Sequence, residues 1–108
     1  MILMIRSCRG GDAEVETIRK AVPCSELLAG LAEEACELSQ AALKLRRVID
    51  GRNPTPVSPS DANTSLHEEI ADVLLYIIAL QPSKRMVEDF MIKKKERWEQ
   101  RLKEAKAE

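Results

Sequence analysis

One pattern of acidic residues occurs twice in the chain. Residues 31–38 read Leu-Ala-Glu-Glu-Ala-Cys-Glu-Leu and residues 66–73 read Leu-His-Glu-Glu-Ile-Ala-Asp-Val, so both follow the form Leu-x-Glu-Glu-x-x-acid-aliphatic. On a helix, the last two acidic positions of each octet lie beside the aliphatic stripe. Those positions hold Glu34 and Glu37 in the first octet, and Glu69 and Asp72 in the second. Two such helices packed antiparallel would bring the four carboxylates into one cluster.

The repeated octet has two interpretations, a metal site or a solvated acidic flank. A lone acidic pair at this spacing carries no weight, because chance alone gives roughly three such pairs in a chain with 18 acidic residues among 108. Repetition of the whole octet in register with two apolar stripes is harder to obtain by chance. Like charges at this spacing also destabilise a helix slightly, which favours a compensating cation. The metal site is the favoured interpretation, with the solvated flank as the alternative.

The ligand types indicate which metal would be bound. Carboxylates without imidazole or thiolate suit Mg²⁺ or Mn²⁺, hard cations that take oxygen ligands and bind substrate phosphates. Di-iron bundle proteins use Glu-x-x-His instead. The single histidine of this chain, His67, has Thr64 three residues before it. The spacing therefore excludes a di-iron site, and His67 is interpreted as a surface or interface residue.

The hydrophobic pattern predicts helices that carry both octets. Apolar residues at spacings of three and four indicate an amphipathic helix over residues 25–49. Ser65 followed by Glu68 has the form of a capping box and predicts a second long helix to about residue 80. The residues between them, 50–64, contain three prolines and predict a loop. Further helices are predicted over residues 12–21, after a turn at Gly10 and Gly11, and over residues 83–106.

The segment from Val73 to Leu80 is apolar on every side of its predicted helix. Such a helix must be surrounded, and the few helices of one short chain can hardly surround it. We therefore expect one all-α domain over residues 1–108, with its core at about 25–102. The expected architecture is a helical hairpin bundle completed by oligomerisation, as a homodimer or homotetramer.

Composition and charge narrow the classes of function. The chain has 17 basic and 18 acidic residues, a net charge of -1, and 3% aromatic residues. This composition is typical of a helical protein, and its charge gives no reason to expect nucleic-acid or membrane binding. Residues 93–106 nevertheless hold seven Lys or Arg and three Glu. Three widely spaced cysteines without a CxxC pair favour the reducing cytoplasm.

Glu34-x-x-Glu37 and Glu69-x-x-Asp72, each preceded by a glutamate, resemble the ExxE…ExxD signature of the MazG-like, all-alpha NTP pyrophosphatases. This superfamily includes the dimeric dUTPases, the dCTP pyrophosphatases and phosphoribosyl-ATP pyrophosphohydrolase. The resemblance covers roughly residues 27–101. It implies hydrolysis of a nucleoside triphosphate to monophosphate and pyrophosphate, with Mg²⁺ held by the four acidic residues. Phosphoryl transfer mainly requires positioning and charge neutralisation, which such a site supplies.

The resemblance also implies roles for residues around the four carboxylates. Glu34, or the neighbouring Glu33, is the candidate to activate the attacking water. Lys44 continues the flank that carries Glu37 and could reach a phosphate, and Tyr76 lies one turn after Asp72, where it could contact sugar or base. A plain structural role is the alternative in each case. The candidate substrate-binding residues are Lys44, Asn53, Tyr76, Lys94 and Arg97.

Three functions remain open from the sequence. The first is the removal of unwanted nucleoside triphosphates by a Mg²⁺-dependent pyrophosphohydrolase, and the second is phosphoribosyl-ATP pyrophosphohydrolase. The third is a non-catalytic helical module for dimerisation or regulation, in which the acidic face has no role. Retention of all four carboxylates in the octets argues against the third function.

Overall fold

Four helices make up the computed structural model, which describes residues 9–52 and 57–107, with side chains from residue 15 onward. They are α1 (Arg9–Ala21), α2 (Cys24–Ile49), α3 (Pro59–Leu80) and α4 (Lys84–Ala107). The described part of the chain contains no β-strand, and the all-α prediction is confirmed. It also contains no helix that is long and apolar enough to cross a membrane.

The start of α1 differs from the sequence-based expectation. Gly10 and Gly11 were predicted to form a turn, but both lie inside the helix, which already begins at Arg9. Glycine disfavours a helix interior by only about 1 kcal/mol, so two glycines in the first turn do not prevent a helix. Helix α1 ends where the sequence predicted. The proline at position 23 separates it from α2 and is the residue directly before α2.

The start of α3 corrects a second prediction. The helix begins at Pro59, six residues before Ser65, so the capping box predicted from Ser65 and Glu68 was wrong and the loop is shorter than expected. The residue before the helix is Ser58, whose hydroxyl accepts a hydrogen bond from the backbone N–H of Asp61 at 3.0 Å. A serine cap followed by proline at the first helical position is the stronger start signal, because proline lacks the N–H that would be unpaired there.

α2 and α3 form an antiparallel hairpin, and α1 packs against α3. Leu27, near the start of α2, shares a buried cluster with Ala79, near the end of α3, and with Val15 of α1. One turn further along α2, a Cβ added to Gly30 would lie 2.2 Å from Cε1 of Tyr76. The missing side chain at Gly30 therefore lets the tyrosine ring lie directly against the backbone of α2.

A single arginine joins α1 to the end of α3. The guanidinium group of Arg19 donates hydrogen bonds to the carbonyl oxygens of Ile78 at 3.0 Å and Ala79 at 3.1 Å, and pairs with Glu16. The last carbonyl groups of a helix have no partner within that helix, and they favour a nearby positive charge. Arg19 thus satisfies the last turn of α3 just before the chain turns at Gln81, whose φ is 51°.

Large apolar side chains remain exposed on the last helix. Trp98 is 68% exposed and Phe90 is 55% exposed, and α4 makes only sparse contacts with the other described helices. Leu75, within the apolar half of α3, is 48% exposed. The radius of gyration is 17.2 Å, whereas about 13 Å is typical of a compact chain of this length. The single chain therefore leaves apolar surface of α3 and α4 uncovered.

Candidate metal centre

Three of the predicted carboxylates come together between α2 and α3. One oxygen each of Glu34, Glu37 and Glu69 can be chosen so that all three lie within 4.8 Å of one another. The antiparallel packing of the hairpin produces this arrangement, because the contact between Gly30 and Tyr76 sets the register one turn away. We call these three residues the carboxylate cluster.

The carboxylate cluster holds negative charge in a partly buried place. Atom Oε2 of Glu34 and atom Oε2 of Glu69 are buried, and no described residue forms a hydrogen bond with either atom. None of the ion pairs found among the described residues involves the cluster. Buried acceptors without partners are costly, so this site provides oxygen atoms for a cation.

Burial and like charges raise the pKa values of two members. Burial, followed by the charges of Glu37 and Asp72, raises the pKa of Glu34 from 4.5 to about 7. Burial and the same two neighbours raise the pKa of Glu69. Both shifts show that the site disfavours its own ionised form, as expected for carboxylates that lack a counter-ion.

Asp72, the fourth predicted ligand, lies beside the cluster and not within it. It is half-buried on α3, and its charge contributes to the raised pKa of both Glu34 and Glu69. The oxygens that lie within 4.8 Å of one another come only from the other three residues. The spacing of the octets thus leads to three converging carboxylates and one flanking carboxylate.

The remaining candidate residues that the structure describes lie outside the carboxylate cluster. Glu33 and Lys44 are exposed on α2, and Lys94 and Arg97 are exposed on α4. Tyr76 is half-buried against Gly30, and Asn53 lies outside the described residues. His67 is exposed on α3, where its Nδ1 atom lies 2.7 Å from the carbonyl oxygen of Asn63 in the preceding turn. The hydrogen bonds and ion pairs of the described residues do not link Lys44, Lys94 or Arg97 to the cluster.

Two features beside the cluster were missed by the sequence-based reasoning. One is Gly30, which positions Tyr76, and the other is an apolar groove lined by Leu27, Tyr76 and Ala79 together with residues of α1. An isolated glycine inside a strongly periodic helix is a signal of close backbone approach and could have indicated the first feature. The groove depends on the docking of α1, for which the sequence holds no comparable signal.

The donor set of the site fits a hard divalent cation. Three converging carboxylates and a fourth beside them provide only oxygen ligands, which suit Mg²⁺ or Mn²⁺ and leave positions for water and phosphate. The Oε2 atoms of Glu34 and Glu69 form no hydrogen bond with a described residue and could serve as ligand atoms. The residues that would hold it are Glu34, Glu37 and Glu69, with Asp72 at the side.

The raised pKa of Glu34 predicts a loss of stability with rising pH in the metal-free protein. The folded protein retains a proton on Glu34 up to about pH 7, whereas the ordinary pKa is 4.5. The contribution to stability is therefore complete below about pH 4.5 and is lost as the pH rises through about 7. Thermal melts in chelator should show a falling melting temperature over this range, and Glu34→Gln should flatten the decline. The control variant Glu68→Gln, which removes an exposed carboxylate of α3, should keep the decline. An equal decline in Glu34→Gln would contradict the prediction.

Comparison of the chain with protein-family models, with curated proteins and with solved structures finds no match.

Proposed function

We propose that the protein is a Mg²⁺-dependent nucleoside triphosphate pyrophosphohydrolase of the all-alpha type, which releases a nucleoside monophosphate and pyrophosphate. The observation that supports this proposal is the convergence of Glu34, Glu37 and Glu69 from two helices, with two buried oxygens that lack partners. Glu37 is exposed and the other two residues are half-buried, so the support comes from like charges held close together without a counter-ion among the described residues. The resemblance of the two octets to the ExxE…ExxD signature supports the proposed reaction, hydrolysis of a nucleoside triphosphate to monophosphate and pyrophosphate.

Each acidic residue of the site has a part in this proposal. Glu34, Glu37, Glu69 and Asp72 would hold Mg²⁺, which supplies charge neutralisation of the phosphates when it is bound. Glu34, or the neighbouring Glu33, which is exposed on α2, would accept a proton from the attacking water. Lys44, on the same helix, and the exposed Lys94 and Arg97 of α4 are the cations proposed to contact phosphate.

A homodimer or homotetramer is part of the proposed enzyme. The apolar half of α3 is incompletely covered, and Phe90 and Trp98 of α4 are more than half exposed. Isolated exposed apolar residues are ordinary, but several on two helices of a small protein favour burial against another subunit. A four-helix-type bundle formed by the hairpins of two chains, with α4 lying across it, would provide this burial.

A pyrophosphate-release assay over the canonical and modified NTPs and dNTPs tests the proposed function directly. We expect Mg²⁺-dependent release from at least one nucleotide, and a Mg²⁺-dependent rise in melting temperature, because a cation that binds only the folded state stabilises it. The site variant Glu37→Gln should reduce the melting shift, and the exposed variant Glu68→Gln should retain it. If no nucleotide is hydrolysed and the metal produces no shift, the non-catalytic dimerisation module is the better interpretation.

A further inference from the structure

Three residues, Gln81 to Ser83, connect α3 to α4. Gln81 adopts the left-handed conformation, with φ 51° and ψ 58°, and its backbone N–H donates a hydrogen bond to the carbonyl oxygen of Ile78 at 3.1 Å. Glycine adopts this conformation readily, whereas a residue with a Cβ does so at a cost in stability. The proline at position 82 adds to this cost, because a residue before proline favours an extended backbone. The turn is therefore strained and needs contacts that hold it.

Arg19 of α1 supplies such contacts. In a continuing helix, the carbonyl oxygens of Ile78 and Ala79 would accept hydrogen bonds from the N–H groups of residues 82 and 83. Residue 82 is a proline without an N–H, and residue 83 lies outside both helices. The guanidinium group donates to these two oxygens instead, from Nη2 to Ile78 at 3.0 Å and from Nε to Ala79 at 3.1 Å. A planar guanidinium presents such donors in a fixed geometry, so one side chain closes the end of α3.

The direction of α4 depends on this turn. Helix α4 makes only sparse contacts with the other described helices, so packing within the chain does little to fix its direction. The hydroxyl group of Ser83 accepts a hydrogen bond from the backbone N–H of Met86 at 3.2 Å, and the helix is continuous from Lys84 onward. The angle between α3 and α4 is therefore set at Gln81 and the proline that follows it. Arg97 lies roughly 20 Å along α4 from its start, so a change of about 20° in this angle would move it by about 7 Å.

We propose that Arg19 is a positioning residue, which fixes the direction of α4 and thereby the place of Lys94 and Arg97 relative to the carboxylate cluster. The role of these two cations in phosphate binding rests on the proposed function, whereas the direction of α4 does not. The hydrogen bonds of Arg19 go to Glu16 and to the last turn of α3, so Arg19 acts through the turn. Ion pairs form within about 4 Å, so a displacement of about 7 Å would separate the cations of α4 from a phosphate at the cluster.

Distances between spin labels on α2 and α4 test the proposed role of Arg19. The labels are attached to Ala32→Cys and Ala105→Cys, two exposed positions, in a protein whose native cysteines are replaced by serine. Labelled chains are mixed with excess unlabelled chains, so that each measured distance lies within one chain. We expect one narrow distance distribution with Arg19 present, and a distribution that is broader or shifted by about 5 Å or more in Arg19→Gln and Arg19→Lys. Lysine retains the charge but not the fork of donors. The control Arg46→Gln, which removes an exposed arginine near the end of α2, should leave the distribution unchanged.

A second substitution distinguishes an action through the turn from a general effect on stability. Asparagine adopts the left-handed conformation more readily than glutamine, so Gln81→Asn should narrow the distance distribution again in the Arg19→Lys protein. An unchanged distribution in the Arg19 variants, or no recovery with Gln81→Asn, would overturn the proposal. If circular dichroism shows that Arg19→Gln does not fold, Arg19→Lys alone decides.

Binding of inorganic tripolyphosphate in Mg²⁺, measured by calorimetry, separates this proposal from the proposed function. We expect roughly tenfold weaker binding in Arg19→Lys and recovery with Gln81→Asn, because the cations of α4 lose and regain their contacts with phosphate. A changed distance with an unchanged affinity would support the role of Arg19 in directing α4, and it would overturn the assignment of Lys94 and Arg97 to phosphate. Unchanged distances would overturn the role of Arg19 whatever the affinity.

Discussion

Glu69→Gln is expected to abolish pyrophosphate release, with a loss of turnover on the order of 100-fold or more. Glutamine has the shape of glutamate, so α3 and its packing are retained. The substitution removes one of the three converging negative charges and replaces a proposed carboxylate ligand of Mg²⁺ with a neutral amide. The measurement is pyrophosphate release in saturating Mg²⁺, with circular dichroism to verify the fold.

The neighbouring residue on the same helix provides the matched control for this variant. Glu68 is exposed and lies outside the cluster, so Glu68→Gln removes the same charge one position away and should retain activity. The metal-free Glu69→Gln protein should be at least as stable as wild type, because like-charge repulsion is reduced. Unaltered turnover in Glu69→Gln would remove the carboxylate cluster from the catalytic site.

Gly30→Ala is expected to destabilise the protein by about 2 kcal/mol. The new methyl group would lie 2.2 Å from Cε1 and 2.7 Å from the hydroxyl oxygen of Tyr76, so the ring must move. Overpacking of this kind costs up to about 3 kcal/mol, and the gain in helix propensity offsets about 1 kcal/mol of it. Because Tyr76 is a candidate substrate-binding residue, its displacement should weaken nucleotide binding along with stability. Chemical denaturation and calorimetric titration with a nucleotide measure the two effects.

Gly30→Ala should have the opposite effect on stability when the ring of Tyr76 is absent. In a Tyr76→Ala background the added methyl group meets no phenol ring, and only the propensity gain of about 1 kcal/mol remains. Gly30→Ala should therefore stabilise the Tyr76→Ala protein, and the double-mutant cycle should show a coupling free energy of about 3 kcal/mol. Equal destabilisation in both backgrounds would indicate that the clash is with the backbone and not with the ring.

Local signals in the sequence predicted the helices and the convergence of the two octets. The stripe over residues 25–49 and the proline at position 23 define α2 within one residue of its observed start. The octet spacing predicted that Glu34, Glu37, Glu69 and Asp72 would meet across the hairpin; the first three do so, and Asp72 lies beside them. Helical periodicity is a property of each segment alone, which explains why both could be derived from the sequence.

Apart from the convergence of the octets, features that depend on contacts between segments were not predicted. Ser58 and Ser65 both have the form of a cap, and only the first is used, because proline at the next position restricts the backbone to helical φ values. The place of Asp72 beside the cluster depends on the rotation of α3 about its axis, which is determined by packing with α2. The groove needs α1 as its third wall, and the docking of a short helix is a tertiary property.

The bond from Arg19 to the last turn of α3 has a consequence for local unfolding. The carbonyl oxygen of Ala79 accepts a hydrogen bond from Arg19 of α1, and the carbonyl oxygen of Ile78 accepts one from Arg19 in addition to one from the backbone N–H of Gln81. If α1 detaches, the end of α3 loses both bonds from Arg19 at once, together with the apolar contacts of Ala79. Helix α1 and the last turn of α3 therefore form one cooperative opening unit, whose protection from hydrogen exchange reports how firmly the walls of the groove are held together.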